Sequence, residues 1–354
     1  MRKQKKIFFN SWVMVCVALL AIQVTLIATP EVRAEKITLR YASYHPPRGI
    51  AHEGPDWLMN QITKRTDGKV VFQQYVGGSL LKARELLKGV KEGTADLGFI
   101  FVPYFPRELQ ILTLPTPFIS GPPEPIKEAA LFWDFFQQIP EANQTLEKWG
   151  QKLVAIHAYG QLAVGATKPV KTLADVKGLK MRCAAGYDAQ HMQCMGASVV
   201  FLTMPEVYSA MEKGAVNAVY TAGISLYREK LYETGNPFYI LLIPKFSGVM
   251  ALLTINQEKF NNLPPDVQKV ISEVGKEYSA FESKRIAEME KEYFDKLKDL
   301  GCKIETVSRE EINEWAQRCE EDSKARWVKE AEEKGLPGKA LMNSMTKLIQ
   351  KQMN

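Results

Sequence analysis

The chain has 354 residues, long enough for two domains that each bury a core. Its 46% hydrophobic and 24% charged residues are ordinary for a folded protein and exclude a disordered one. The net charge of +6 belongs mostly to residues 1–34 (net +4), so the remainder is near +2, without a basic tract interleaved with aromatics to support nucleic-acid binding.

The N-terminus reads as a secretory leader. Arg2, Lys3, Lys5 and Lys6 precede an apolar run from Trp12 to Ala28, then Pro30 and the small-residue site Val32-Arg33-Ala34. Cleavage is expected after Ala34; an uncleaved membrane anchor is the competing reading, because the run approaches the length of a short spanning helix. Cys16 lacks the small residues that precede a lipidated cysteine.

Beyond the leader, Lys36 to Ala42 alternates apolar and polar residues like a strand, and the prolines and glycine of 43–49 form a loop. Helical spacing of Trp57, Leu58 and Ile62 predicts a helix over 53–65, followed by a strand over 69–75. A second amphipathic helix is expected over 82–92, closed by Gly93, and a buried strand over 96–101. The same grammar returns later: a strand at 179–183, helices at 188–195 and 205–213, and a strand at 216–220. In both regions a helix ends at glycine and an acid or amide opens the next strand. Two similar units suggest two α/β lobes. The C-terminal third is helical. A charged amphipathic helix, with room for one break, covers 264–300; a strand at 302–307 and a helix at 310–335 follow. Its apolar spacing is not heptad-regular, which argues against a coiled coil.

Four cysteines remain after cleavage: Cys183, Cys194, Cys302 and Cys319. Export permits disulfides, and four cysteines allow three full pairings, but spacing does not choose between buried thiols and one bridge. Phosphate loop, dinucleotide fingerprint, zinc-protease motif and nucleophile elbow are all missing from the sequence. No pair among His45, His52, His157 and His191 has metal-ligand spacing. The sequence therefore nominates no cofactor, metal or catalytic residue, and a periplasmic enzyme is the reading without a motif behind it.

Gly178-Leu-Lys-Met-Arg-Cys183 resembles the strand "G-L-K-[IM]-R-V" of the substrate-binding receptors of tripartite ATP-independent periplasmic (TRAP) transporters, C4-dicarboxylate-binding type. Met195-Gly-Ala-Ser198, Pro205-Glu-Val-Tyr208 and Lys213-Gly-Ala-Val-Asn217 stand in that family's order and spacing. So do Thr66-Asp-Gly-Lys69, Tyr75-Val-Gly-Gly-Ser-Leu80, Gly93-Thr-Ala-Asp96, Leu114-Pro-Thr-Pro-Phe118 and Leu263-Pro-Pro-Asp-Val-Gln268. The resemblance implies an α/β, two-lobed, periplasmic-binding-protein-like fold (type II-like) with a long C-terminal helix spanning both lobes. The expected division is 35–159 with 247–287 for the first lobe, and 160–246 with 288–354 for the second. It also implies a periplasmic receptor that captures a small organic acid for membrane permease subunits; a sensory receptor serving a membrane kinase would look the same, and the sequence leaves the oligomeric state open, a monomer being favoured.

The family's central ligand contact falls on Arg182, whose rigid fork suits a carboxylate. Where other members place polar pocket groups, this chain offers Phe101, Tyr104, Met204, Tyr220 and Thr221, with Tyr44 and His45 on the first βα loop. Such residues also fill ordinary cores. Leu162 stands where sialic-acid-type receptors carry a second arginine, and Val216 to Thr221 departs from the usual acidic pattern. These departures point away from sugar acids and dicarboxylates, toward a monocarboxylate with an apolar or aromatic body.

Overall fold

A computed structural model describes residues 36–157 and 159–353. The leader, Cys16 and the expected cleavage after Ala34 lie outside the described residues.

Two sheets carry the fold. The first contains β1 (Ile37–Ala42), β2 (Val70–Tyr75), β3 (Leu97–Phe101), β4 (Gln151–His157) and β10 (Ala251–Asn256), in the order β2-β1-β3-β10-β4. β1 runs parallel to β2 and β3, with Ile37 opposite Val70 and Tyr41 opposite Leu97, while β10 is antiparallel to both its neighbours. The second sheet contains β5 (Leu162–Ala166), β6 (Lys180–Cys183), β7 (Ser198–Phe201), β8 (Ala218–Ala222), β9 (Tyr239–Ile243) and β11 (Lys303–Thr306), ordered β11-β9-β5-β8-β6-β7. Here β5 is the reversed strand, antiparallel to β8 and β9. The chain thus crosses between sheets after β4, returns after β9, and crosses again through the long C-terminal helix. Parallel strands need helical crossovers, and helices cover the faces accordingly.

Helix α1 (Ile50–Arg65), α2 (Leu86–Lys91), α3 (Pro125–Gln138) and α4 (Pro140–Lys148) belong with the first sheet. The second carries α5 (Tyr187–Cys194), α6 (Met204–Glu212) and α7 (Gly223–Arg228). A five-residue α8 (Gln257–Asn261) leads into α9 (Pro265–Asp299), which is one continuous helix without the break the sequence allowed. Its buried Val267, Ile271, Val274 and Tyr278 recur at helical spacing and face α1, α3 and β4, while the later turns pack on α7. It therefore spans both lobes. At Gly275 the helix meets β4 so closely that a β-carbon would fall on the Val154 carbonyl oxygen.

Two elements differ from the sequence reading. The helix expected over 82–92 begins only at Leu86, because Glu85 folds its side chain back onto the Lys82 N–H (2.7 Å) and Lys82 to Glu85 form a turn instead. The strand expected over 216–220 runs from Ala218 to Ala222. Asn217 accounts for the shift: its backbone and side chain both bond Lys180, at 2.9 and 3.0 Å, ending the turn before the ladder starts. Helix α10 (Arg309–Glu332) is joined to α5 by a Cys194–Cys319 disulfide, whereas Cys183 and Cys302 are buried thiols. Helix α11 (Gly338–Met353), which the sequence division gives to the second lobe, packs on α3, with Lys351 2.8 Å from Asp134.

Candidate functional site

Strand β6 lies between β8 and β7, and its side chains alternate across the sheet. Met181 and Cys183 enter the core beneath, so Arg182 emerges on the opposite face, 2% exposed. A single interlobe cavity receives it. Tyr44 and His45 reach this cavity from the loop after β1, Phe101 from the end of β3, Tyr104 from the 3-10 turn Val102–Tyr104, Met204 from the first turn of α6, and Tyr220 and Thr221 from β8. All eight residues nominated from the sequence thus line one cavity, of about 490 Å³ with the solvent at its mouth included.

Arg182 is held by neutral acceptors. Its Nε donates to the Leu202 carbonyl at 2.8 Å; Nη1 and Nη2 reach the Tyr220 carbonyl and Tyr104 Oη at 3.4 and 3.5 Å. Among the described residues, no carboxylate lies within ion-pair distance of its guanidinium. Tyr104 Oη also accepts the Met204 N–H at 2.8 Å, so one phenol from the first lobe ties two residues of the second. Burial pushes the Tyr104 phenol up, against the pull of Arg182.

The walls are aromatic. Tyr104 packs against Tyr44 and Phe101 at 5.7 and 4.7 Å between centroids, and Phe101 meets Tyr159 at 5.3 Å. His45, stacked near Tyr44 at 4.1 Å, is held well below the usual histidine range by burial and then by Arg228 and His157, so it is neutral near pH 7.

Sequence reasoning missed three groups here. Arg228, at the end of α7, is 7% exposed, pairs with Glu229 at 2.8 Å and lies over Gly49 of the first lobe. A β-carbon on Gly49, whose φ is +68°, would sit 2.5 Å from Arg228 Cδ, so only glycine admits that approach. Tyr159 closes the wall where the chain first crosses between lobes. Asp188 sits in the first turn of α5, 6% exposed, with its carboxyl pushed up to about 6 by burial despite Lys245 and Arg182 nearby. Read linearly, Asp188 is only a helix start and Arg228 only part of a charged pair; their shared signal is position just past the ends of β6 and β8. Leu162, the position of the absent second arginine, lines the same cavity. Arg228 brings a second cation to it from another element.

His157 is buried against Glu282 of α9, and His191 Nε2 lies 3.1 Å from the Pro117 carbonyl. Among the described residues, no group of three or more His, Cys, Asp or Glu side chains could hold a metal ion. Nor is any described helix long and apolar enough to cross a membrane.

The family profile of bacterial extracellular solute-binding proteins, family 7, matches residues 41–330. The chain belongs to that family. A solute-binding protein of Albidiferax ferrireducens is 26% identical over 283 residues, covering 77% of this chain and 82% of the relative. Two solved structures, both marine-metagenome TRAP solute-binding proteins from unidentified microbes, share its fold. One, specific for aromatic acids and bound to metahydroxyphenylacetate, is 20% identical with a TM-score of 0.79, over 90% of this chain and 100% of that one. The other, holding co-purified pyroglutamate, is 19% identical with a TM-score of 0.74, over 88% and 99%. At these identities the likeness speaks for the two-lobed fold. The family resemblance read from the motifs around Arg182 is borne out, and the protein is a solute-binding receptor.

Proposed function

We propose that this family member is the periplasmic receptor of a TRAP transporter. It clamps an organic monocarboxylate with an apolar or aromatic body between its lobes and releases it, chemically unchanged, to membrane permease subunits. One observation carries the reading: Arg182 is buried in an aromatic interlobe cavity, bonded only to neutral acceptors. A buried cation without an anion is costly, and a carboxylate presented to its fork gains two charge-assisted hydrogen bonds. The ring-lined walls of Tyr44, Phe101, Tyr104 and Tyr159 would cover the ligand's body. Aromatic acids and pyroglutamate, bound by fold neighbours, set its size class. The lobes would be 35–159 with 247–287 and 160–246 with 288–354, α11 being seated on the first.

The test is native mass spectrometry of the exported protein, which reports oligomeric state and any co-purified acid, followed by calorimetry against a library of organic acids. We expect a monomer that binds one acid per chain and returns it with unchanged mass. Binding of neutral sugars or cations in preference to every acid would overturn the proposal, as would recovery of a converted product.

A further inference from the structure

Asp188 is unusual among the groups lining the cavity. It is an acid placed beside a site whose cations should receive another acid. Among the described residues its Oδ1 is fully buried and accepts no hydrogen bond. Its nearest cation, Lys245, lies 3.9 Å from Oδ1 and spends its short hydrogen bond on the Phe246 carbonyl at 2.7 Å. The other groups facing it are Arg182, the Cys183 thiol and Tyr220, whose own phenol oxygen is buried and unpartnered. A carboxylate has roughly four lone-pair positions to fill, and those on Oδ1 meet no donor among the described residues. A plain carboxylic acid held on Arg182 would leave this deficit and add like-charge repulsion. An acid that also carries an O–H or N–H would cancel both.

We infer that Asp188 is the specificity-determining acceptor of this receptor, selecting acids that bear a hydrogen-bond donor, such as a phenolic or alcoholic hydroxyl or a lactam N–H, over acids of the same shape without one. The inference rests on the carboxylate reading of the cavity and adds to it which carboxylates are taken. Discrimination of this kind is strong because a site built around an unpaired polar group penalises the analogue that leaves it unpaired.

Calorimetry with two matched pairs tests it: 3-hydroxybenzoate against benzoate, and pyroglutamate against cyclopentanecarboxylate. The wild-type protein should prefer the donor-bearing member of at least one pair by about tenfold or more. In Asp188→Ala, and in Asp188→Leu as a second variant, that ratio should collapse to within about threefold, while benzoate or cyclopentanecarboxylate binds as well as before or better; Asp188→Asn, which keeps one acceptor oxygen, should lower the ratio less. A purely structural role, as partner of Lys245, would instead weaken both members equally. Equal weakening, or a wild-type ratio near one, overturns the inference and leaves the carboxylate reading standing. Binding by the folded wild-type protein of no member of an organic-acid library, these four included, overturns that reading and this inference with it.

Discussion

Replacing Arg182 tests the link between its burial and its role. Its three hydrogen bonds are unequal: the 2.8 Å bond from Nε to Leu202 fixes the guanidinium plane, while those at 3.4 and 3.5 Å from the two terminal nitrogens are marginal. A carboxylate arriving at the fork exchanges two weak neutral contacts for two strong ones. At an effective dielectric near 20, unit charges about 4 Å apart attract by about 4 kcal/mol, and desolvation of the ligand takes part of that back. The expected loss of binding for Arg182→Ala is therefore about 2–5 kcal/mol, a weakening of about 30- to 4,000-fold. Arg182→Lys keeps the charge but loses the fork and the Leu202 anchor, and should fall between Ala and wild type. Folding should respond differently. Without its ligand the clamp stands open and Arg182 meets water, so the unliganded melting temperature should change little. Calorimetry for affinity and differential scanning for stability separate the two effects. Affinity within about threefold of wild type would refute the reasoning, and so would an affinity loss that merely follows a loss of fold.

Other expectations follow from packing, covalent closure and titration. Gly275→Ala drives a methyl group into the Val154 carbonyl, and should cost about 3 kcal/mol or more in denaturant unfolding; a change under about 0.5 kcal/mol would show that α9 can shift off β4. Cys194 and Cys319 are separated by 125 positions, so reducing the bridge, or Cys194→Ser with Cys319→Ser, should cost about 2–5 kcal/mol; unchanged thermal unfolding under reductant would contradict it. Burial pushes the Glu128 carboxyl up to about 7, against hydrogen bonds from Ser247 and Gly248 and the charge of Lys245. The folded state then keeps a proton that the unfolded chain releases from about 4.5 upward, so this group's contribution falls as pH rises from there to about 7. Glu128→Gln should flatten that fall by up to about 3 kcal/mol, and an unchanged stability–pH slope would show the carboxyl is not buried as described.

The parts legible in the sequence were those whose signals are local. Strand alternation in 36–42, the glycine stops after α2 and α6, and the amphipathic run of α9 depend on neighbours within a few residues, and each lies close to where it was expected. Arg182 was nominated through the family resemblance of its strand motif, and the structure places it in the cavity. Asp188 and Arg228 were not, since their meaning comes from a cavity assembled by segments far apart in the chain. Register at 216–222 was misread for a related reason: Asn217 looks like a strand opener but is spent on Lys180, a partner 37 positions away. The cysteines show the same limit, because only the packing of α10 on α5 selects Cys194 and Cys319 from the six possible pairs.

Closure and recognition are tied together by how little the protein itself offers across the cavity. Among the described residues the direct contacts there include the Met204 N–H to Tyr104 at 2.8 Å, the long Arg182 contact to the same phenol, the edge of Tyr104 against Phe201 at 6.2 Å between centroids, Arg84 over the Phe201 ring at 4.2 Å, and Arg228 over Gly49. At about 1 kcal/mol for a net hydrogen bond, about 0.5–1.5 for an aromatic pair and about 0.5–1 for an exposed cation–π contact, they amount to about 2–4 kcal/mol. Driving a two-state clamp from mostly open to mostly closed requires about 5.5 kcal/mol of differential binding. A carboxylate on Arg182 supplies about 2–5 kcal/mol of that difference, and only when Tyr104 and its neighbouring rings have shut out water. A neutral molecule of the same shape would fill the cavity without holding it shut. Charge selection by this receptor is therefore not separate from its movement: the ion pair that identifies the ligand is also the largest single contribution to keeping the lobes together.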